Sequence, residues 1–306
     1  MQTTVAGNIP FEGTGLHTGR PAGMEIRPAE AGYGIRFLRV DLPGGPEEIP
    51  ALHDFVSSTR YRTELSGRNG AGVSTVEHLM AAFAVLEIDN AVVALDGPEV
   101  PAVDGSALPF ARGIQEAGIR RLGGRRRAIH VRGRVEVEAS GSSMVLLPAP
   151  EFGLSCSIEF PSPAIGRQDC RIEGLDSSLA ESFLPARTFV ELESIPSLHE
   201  AGLGRGGGLD CAVVVSGNKV LNEEGLRFSN EFARHKALDV VGDLRLAGAA
   251  ILGHCIAVRP GHTLTLQLLR ALFATPDAWS WVDVSERKRQ ALRTAGPLVE
   301  TRPELR

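Results

Sequence analysis

The sequence predicts an α+β protein of two domains, each with several strands and about two helices. Three observations carry this prediction. The chain has 306 residues, more than one average domain and enough for two. Short strand-like stretches outnumber segments with helical periodicity. Between them lies Leu122-Gly123-Gly124-Arg125-Arg126-Arg127, a glycine pair flanked by charge that suits an exposed linker. The expected domains are therefore 1–122 and 127–306.

The elements follow in order. Residues 24–27 (MEIR) and 34–40 (GIRFLRV) alternate as strands do. At 74–83, Ser74 or Thr75 can cap a helix on which Val76, Leu79, Met80, Phe83 and Leu86 recur at helical spacing. Asp89-Asn90 ends it, and 91–95 (AVVAL) reads as a buried strand. A second helix is expected from Ser106 to about Gly118. After the linker, strands are expected over 128–137, 143–147 and 154–160. Val213-Val214-Val215 and Val220-Leu221 flank Ser216-Gly217-Asn218-Lys219, a hairpin turn signal. A long helix is expected over 229–246, then a strand over 251–258, the turn Pro260-Gly261-His262 and a helix over 264–273. The end from Pro297 reads as frayed. No internal repeat or low-complexity segment interrupts the pattern.

Composition excludes several classes. Hydrophobic residues make up 43% and charged residues 23%, the balance of a globular, water-soluble chain rather than a disordered one. The net charge of −5 and the 5% of aromatic residues speak against a nucleic-acid partner, which needs a basic surface or stacking rings. Four cysteines, Cys156, Cys170, Cys211 and Cys255, form no CxxC pair and fit a reducing compartment as core residues. The first residues show no basic segment followed by an apolar run, so no signal peptide is expected. No window approaches the roughly 18 apolar residues of a membrane span. The cytoplasm is the expected location.

The helix over 229–246 carries most of the chemistry. At 100° per residue, Glu231, Arg234 and Arg245 share one side and read as the solvated face. Ala233, Ala237, Val240, Val241, Leu244 and Ala247 form an apolar face. A further polar stripe remains: His235, Lys236, Asp239 and Asp243. His235 and Asp239 are four apart, which sets imidazole beside carboxylate. Either this stripe forms helix-surface ion pairs, His235 with Asp239 or Lys236 with Asp243, or it supplies two metal ligands with supporting partners. Glu77-His78 allows the same choice between a polar edge and a metal ligand beside a base. No HExxH is present, which excludes the zincin arrangement. His262, on a glycine turn between strand and helix, is either a solvated or capping residue or a functional one.

Taken together, these segments resemble one family, the UDP-3-O-acyl-N-acetylglucosamine deacetylases, zinc amidases of lipid A biosynthesis. The resemblance covers nearly the whole chain. It begins at Gly13-Thr14-Gly15-Leu16-His17-Thr18-Gly19 and runs through Thr75-Val76-Glu77-His78-Leu79, Ile88-Asp89-Asn90, Pro101, Asp104-Gly105-Ser106-Ala107 and Pro109-Phe110. It continues at Ala186-Arg187-Thr188-Phe189 and Asn222-Glu223-Glu224-Gly225-Leu226-Arg227. It peaks at Glu231-Phe232-Ala233-Arg234-His235-Lys236-Ala237-Leu238-Asp239 and Gly242-Asp243-Leu244, and closes on Gly261-His262.

The resemblance implies two similar two-layer α/β sandwiches with the active site between them. It implies His78, His235 and Asp239 as ligands of Zn2+, with Fe2+ possible on the same set. It implies Glu77 as general base and His262 as the cationic residue that protonates the leaving amine. Asp243 would orient His262, and the Thr188 hydroxyl would stabilise the oxyanion. Lys236 would meet polar parts of the substrate, and Phe189 would line the route to its acyl chain. The substrate implied is a small molecule, a UDP-linked acylated amino sugar, hydrolysed to release acetate in the committed step of lipid A biosynthesis. Residues 189–215 resemble the family's insert that shapes an acyl passage, or simply pack as a local loop. No stable membrane insertion is implied, and nothing demands a dimer, so a monomer is expected. Two positions depart from the family's pattern: Gly208 stands where Ser is common and Thr265 where Asn is. The alternatives are a silent nucleotide-sugar-binding paralogue or a deacetylase of a related acylated amino sugar. The presence of every ligand and of Glu77 weighs against the first.

Overall fold

A computed structural model describes residues 1–284. The frayed end expected from Pro297, and the last part of the expected second domain, lie outside the described residues. Helices and mixed sheets are both present, so the chain is α+β.

The first half is built on a five-stranded sheet ordered Ile9–Thr14, Pro21–Pro28, Ala91–Leu95, Ile35–Arg39, Glu47–Pro50. Ala91–Leu95 is central because its run of apolar residues can be buried on both faces. It lies antiparallel to Pro21–Pro28 and parallel to Ile35–Arg39. Ala22, Met24 and Ile26 point inward at a period of two. A three-stranded sheet of Val56–Ser58, Glu64–Ser66 and Gly72–Ser74 leads into helix α1, Glu77–Val85. Helix α2, Leu108–Ala117, starts two residues after the expected Ser106. The Ser106 hydroxyl instead accepts from Leu108 N at 3.2 Å, ahead of the helix.

The expected cap of α1 does not form. Ser74 is the last residue of a strand, and Thr75 turns the chain with φ of 60°. That conformation costs a β-branched residue about 1–3 kcal/mol. Its hydroxyl is spent on Glu99 Oε1 at 2.8 Å rather than on the helix amides. The linker also differs from expectation. Gly123 is exposed, but Leu122 and Arg126 are buried. Arg126 donates to Asp89 Oδ1 at 3.0 Å and to Glu87 Oε1 at 2.6 Å, which pins the junction to the end of α1.

The second half centres on Ala250–Val258. Its first residues pair in parallel with Arg127–Val131, and its later ones lie between Ser142–Leu147 and Phe152–Glu159. The single strand expected over 128–137 is two, Arg127–Val131 and Val135–Ala139, because Gly133 N donates to Ala278 O outside the ladder. Phe189–Glu191 and Val213–Ser216 run in parallel, with helix α3, Ile195–Glu200, between them in sequence. The expected hairpin is present, with Ser216 opposite Lys219. Helix α4, Glu231–Arg245, and helix α5, His262–Ala274, complete the half.

Helix α4 lies against α1, and the two halves share one apolar cluster that includes Leu79, Met80 and Phe83 of α1 and Leu238, Val241 and Leu244 of α4. Gly242 lets the helices meet: a Cβ there would stand 2.0 Å from Glu77 O. Gly242→Ala is expected to cost about 1–3 kcal/mol through overpacking against backbone, read as a lower urea midpoint with unchanged slope.

The face of α4 read as solvated is covered. Glu231 is fully buried and accepts from Arg187 N at 3.0 Å, Arg187 Nε at 2.9 Å and Arg227 N at 2.6 Å. Arg245 is buried as well and donates to Ile88 O at 2.7 Å; burial pulls its pKa down to about 10. Of the three residues, Arg234 alone stays partly exposed.

Candidate active site

His78 occupies the first turn of α1, while His235 and Asp239 stand one turn apart on α4. The Nε2 atoms of His78 and His235 lie 3.6 Å and 3.4 Å from the same oxygen, Asp239 Oδ1. One ligand atom from each of the three residues lies within 4.8 Å of the others. All three side chains are buried, so this is not a helix-surface ion pair. Lys236 does not reach Asp243; its ammonium donates to Asp239 Oδ2 at 2.9 Å. Asp239 Oδ1 is left buried without a hydrogen-bond partner, an expensive state unless something else occupies it.

Electrostatics prepares the same set for a cation. Burial lowers the His235 pKa to about 4, so the ring is neutral near pH 7. Its Nδ1–H donates to Ala186 O at 3.1 Å, which turns the Nε2 lone pair toward Asp239. Burial would raise the Asp239 carboxyl, but His235 and Lys236 beside it hold it well below the usual carboxylate range. Imidazole nitrogens and an ionised carboxylate around an orphaned oxygen fit a divalent transition metal with one position left open.

Glu77 precedes His78 in α1 and is buried. Its Oε2 accepts from Thr63 N at 3.1 Å. Burial raises its pKa, with His262 and His78 opposing. His262 begins α5 and its Nδ1–H donates to Asp243 Oδ2 at 2.7 Å. Burial alone would lower the His262 pKa, but the Asp243 carboxylate lifts it to about 9. The other Asp243 oxygen accepts from Thr63 Oγ1 at 2.6 Å. The raised value means the ion pair stabilises the fold fully below the ordinary 6.5, and that contribution is lost as pH rises through about 9. In metal-free protein, NMR titration of the ring is therefore expected to show a midpoint near 9. Asp243→Asn is expected to lower it by about 1–3 units.

Glu77, His78, His235, Lys236, Asp239 and His262 line one cavity of about 830 Å³. Its far wall is apolar: Leu192, Ile195, Leu198, Leu209 and Val214, all from the 189–215 segment. Phe189 stands between the two regions, edge-on to Phe232 at 5.0 Å and to His235 at 6.0 Å.

The sequence pattern of LpxC, UDP-3-O-acyl N-acetylglycosamine deacetylase, matches residues 2–274. The chain belongs to this family. A Myxococcus xanthus protein named UDP-3-O-acyl-N-acetylglucosamine deacetylase is 42% identical over 291 residues, covering 95% of this chain and 92% of that protein. Proteins of the same name from Phenylobacterium zucineum and Vibrio cholerae are 43% and 40% identical over 279 and 298 residues. The first alignment covers 91% of this chain and 95% of the relative, and the second 97% of each. The deacetylase family is one of metalloenzymes, in keeping with the donor set built from His78, His235 and Asp239.

The remaining residues that the deacetylase resemblance singled out fall as follows. Thr188 lines the cavity and is anchored by its N–H on Gly105 O at 2.9 Å. Asp243 lies behind His262, outside the cavity lining. Gly208 is on the cavity wall, whereas Thr265 is buried in α5 with its hydroxyl on Gly261 O at 3.2 Å. That departure therefore lies away from the cavity. His17 lines the cavity, and burial lowers its pKa to about 4. Elsewhere, His53 stacks on Phe273, His254 pairs with Ser155, and His199 reaches the cavity wall and Gly204 O.

Two buried residues around the candidate site were not read from the sequence. Thr63 bonds both Glu77 and Asp243, yet sits in an ordinary polar stretch with no motif to flag it. Glu99 is buried and accepts from His17 N at 2.9 Å, Thr18 N at 2.8 Å and Thr75 Oγ1 at 2.8 Å. A buried carboxylate three residues ahead of Ala102 looks in sequence like any exposed acid.

Proposed function

We propose that this chain hydrolyses the N-acetyl group of UDP-3-O-(3-hydroxyacyl)-N-acetylglucosamine, releasing acetate, in the committed step of lipid A biosynthesis. The observation that carries the reading is the unpartnered Asp239 Oδ1, approached by two imidazole Nε2 atoms in the cavity that also holds Glu77 and His262. We assign His78, His235 and Asp239 as ligands of zinc. Bound there, the cation supplies Lewis acidity and brings the pKa of a bound water down toward about 7.

The chain's own groups do the rest. Glu77 accepts the proton of the attacking water, and its raised pKa makes it a better base near neutrality. The water oxygen bonds to the acetyl carbon and the C–N bond breaks. His262, held as an imidazolium by Asp243, gives its proton to the departing nitrogen. The Thr188 hydroxyl, at the cavity wall, donates to the oxygen that gains charge. Lys236 holds Asp239 and presents its charge to polar parts of the substrate. Phe189 and the apolar wall beyond it receive the acyl chain.

Nothing in this scheme calls for a second chain, and we read the protein as acting as a monomer. We read the halves 1–122 and 127–306 as domains that meet at the site, the first giving Glu77 and His78. Among the described residues, no helix is long and apolar enough to cross a membrane. A UDP-linked substrate handled in an internal cavity supports a cytoplasmic place of work. The test is product identification: incubation with the UDP-linked acylated sugar releases acetate and leaves the free amine. An intact amide after incubation with metal-loaded protein overturns the proposal.

A further inference from the structure

Thr63 stands just ahead of the strand Glu64–Ser66, and the register of that strand fixes its place. Glu64 pairs with Ser74, so Thr63 falls opposite Thr75, where φ of 60° ends the ladder and directs the chain into α1. Thr63 O accepts from Thr75 N at 3.0 Å. Its N–H donates to Glu77 Oε2 at 3.1 Å, and its hydroxyl donates to Asp243 Oδ1 at 2.6 Å and lies 3.3 Å from His262 Nδ1. The residue is 2% exposed, so water does not compete for these bonds. One residue thus touches the assigned base, the assigned acid and the carboxylate behind that acid.

We infer that Thr63 is a positioning residue, dividing the oxygens of Glu77 and Asp243 so that each carboxylate keeps one oxygen for the reaction. The inference rests on the proposed deacetylation. With Oε2 of Glu77 held by the amide, Oε1 is the oxygen that takes the proton. With Oδ1 of Asp243 held by the hydroxyl, Oδ2 faces His262 Nδ1 and the far ring nitrogen is turned away from Asp243, available to donate. Both assignments pass through one residue, so base and acid are set relative to each other.

The test uses Thr63→Val, which keeps the shape and the amide but removes the hydroxyl, with Thr63→Ser as the conservative variant. Thr63→Val is expected to lower kcat about 10–100-fold, the usual effect of removing a partner behind a metal site, with KM unchanged and metal content equal to wild type. Thr63→Ser restores most of kcat. In the Asp243→Asn background, Thr63→Val costs far less, because the bond it removes acts through Asp243. If Thr63→Val does not fold, Thr63→Ala carries the same expectations. Full kcat in the hydroxyl-free variant, a Ser variant no better than Val, or additive losses with Asp243→Asn overturn the inference while wild type remains active. A wild type that releases no acetate overturns the proposed function and this inference with it.

Discussion

Glu77→Gln is expected to keep its metal and to lose about 10²–10⁴-fold in turnover, the range for removing a positioned general base. The substitution is close to isosteric, and its carbonyl oxygen can still accept from Thr63 N. Glu77 lies outside the His78, His235 and Asp239 set, so no ligand is removed. The buried carboxylate, by contrast, is replaced by a group that cannot take a proton. Metal analysis and acetate release on one preparation separate the two effects. Unchanged turnover would remove Glu77 from the base role, and lost metal would make it part of the metal site instead.

Asp239→Ala is expected to weaken metal binding by at least about 10²-fold, since even partners behind a ligand are worth 10–100-fold. The change removes the oxygen on which both imidazoles converge at 3.6 Å and 3.4 Å. It also strips Lys236 of its carboxylate at 2.9 Å, leaving a largely desolvated ammonium among two imidazoles. Both losses act against a cation. His78→Ala is expected to weaken the metal in the same way without touching Lys236, so comparing the two isolates the ammonium's effect. Titration with zinc ions, followed by calorimetry, reads the affinity directly. Asp239→Ala protein that binds zinc as tightly as wild type would place the metal elsewhere.

How much of this was legible in the sequence depends on the range of the interaction. Local patterns read well: the run AVVAL became the central strand Ala91–Leu95, and Gly217-Asn218 the expected hairpin. Helical periodicity isolated the stripe of His235, Lys236, Asp239 and Asp243. Periodicity locates faces but not what covers them, so Glu231 and Arg245 read as solvated. Their partners, Arg187 and the Ile88 carbonyl, come from distant segments. Thr75 read as a helix cap for the same reason, since Glu99 claims its hydroxyl across the fold. Charged edge strands such as Arg167–Glu173 carry too little apolar alternation to register. The convergence of His78 with His235 and Asp239 depends on α1 meeting α4 at Gly242, a close approach that no local pattern encodes. Only the resemblance to the deacetylases linked those segments before the fold did.

The most direct test of the account is a zinc titration of metal-free protein, with acetate release from the UDP-linked acylated sugar as the readout. Activity is expected to be absent at the start, to rise in proportion to added zinc and to level off at about one ion per chain, as a three-residue donor set with an open position requires. Full activity in the metal-free protein, or no activity at any zinc level, would contradict it.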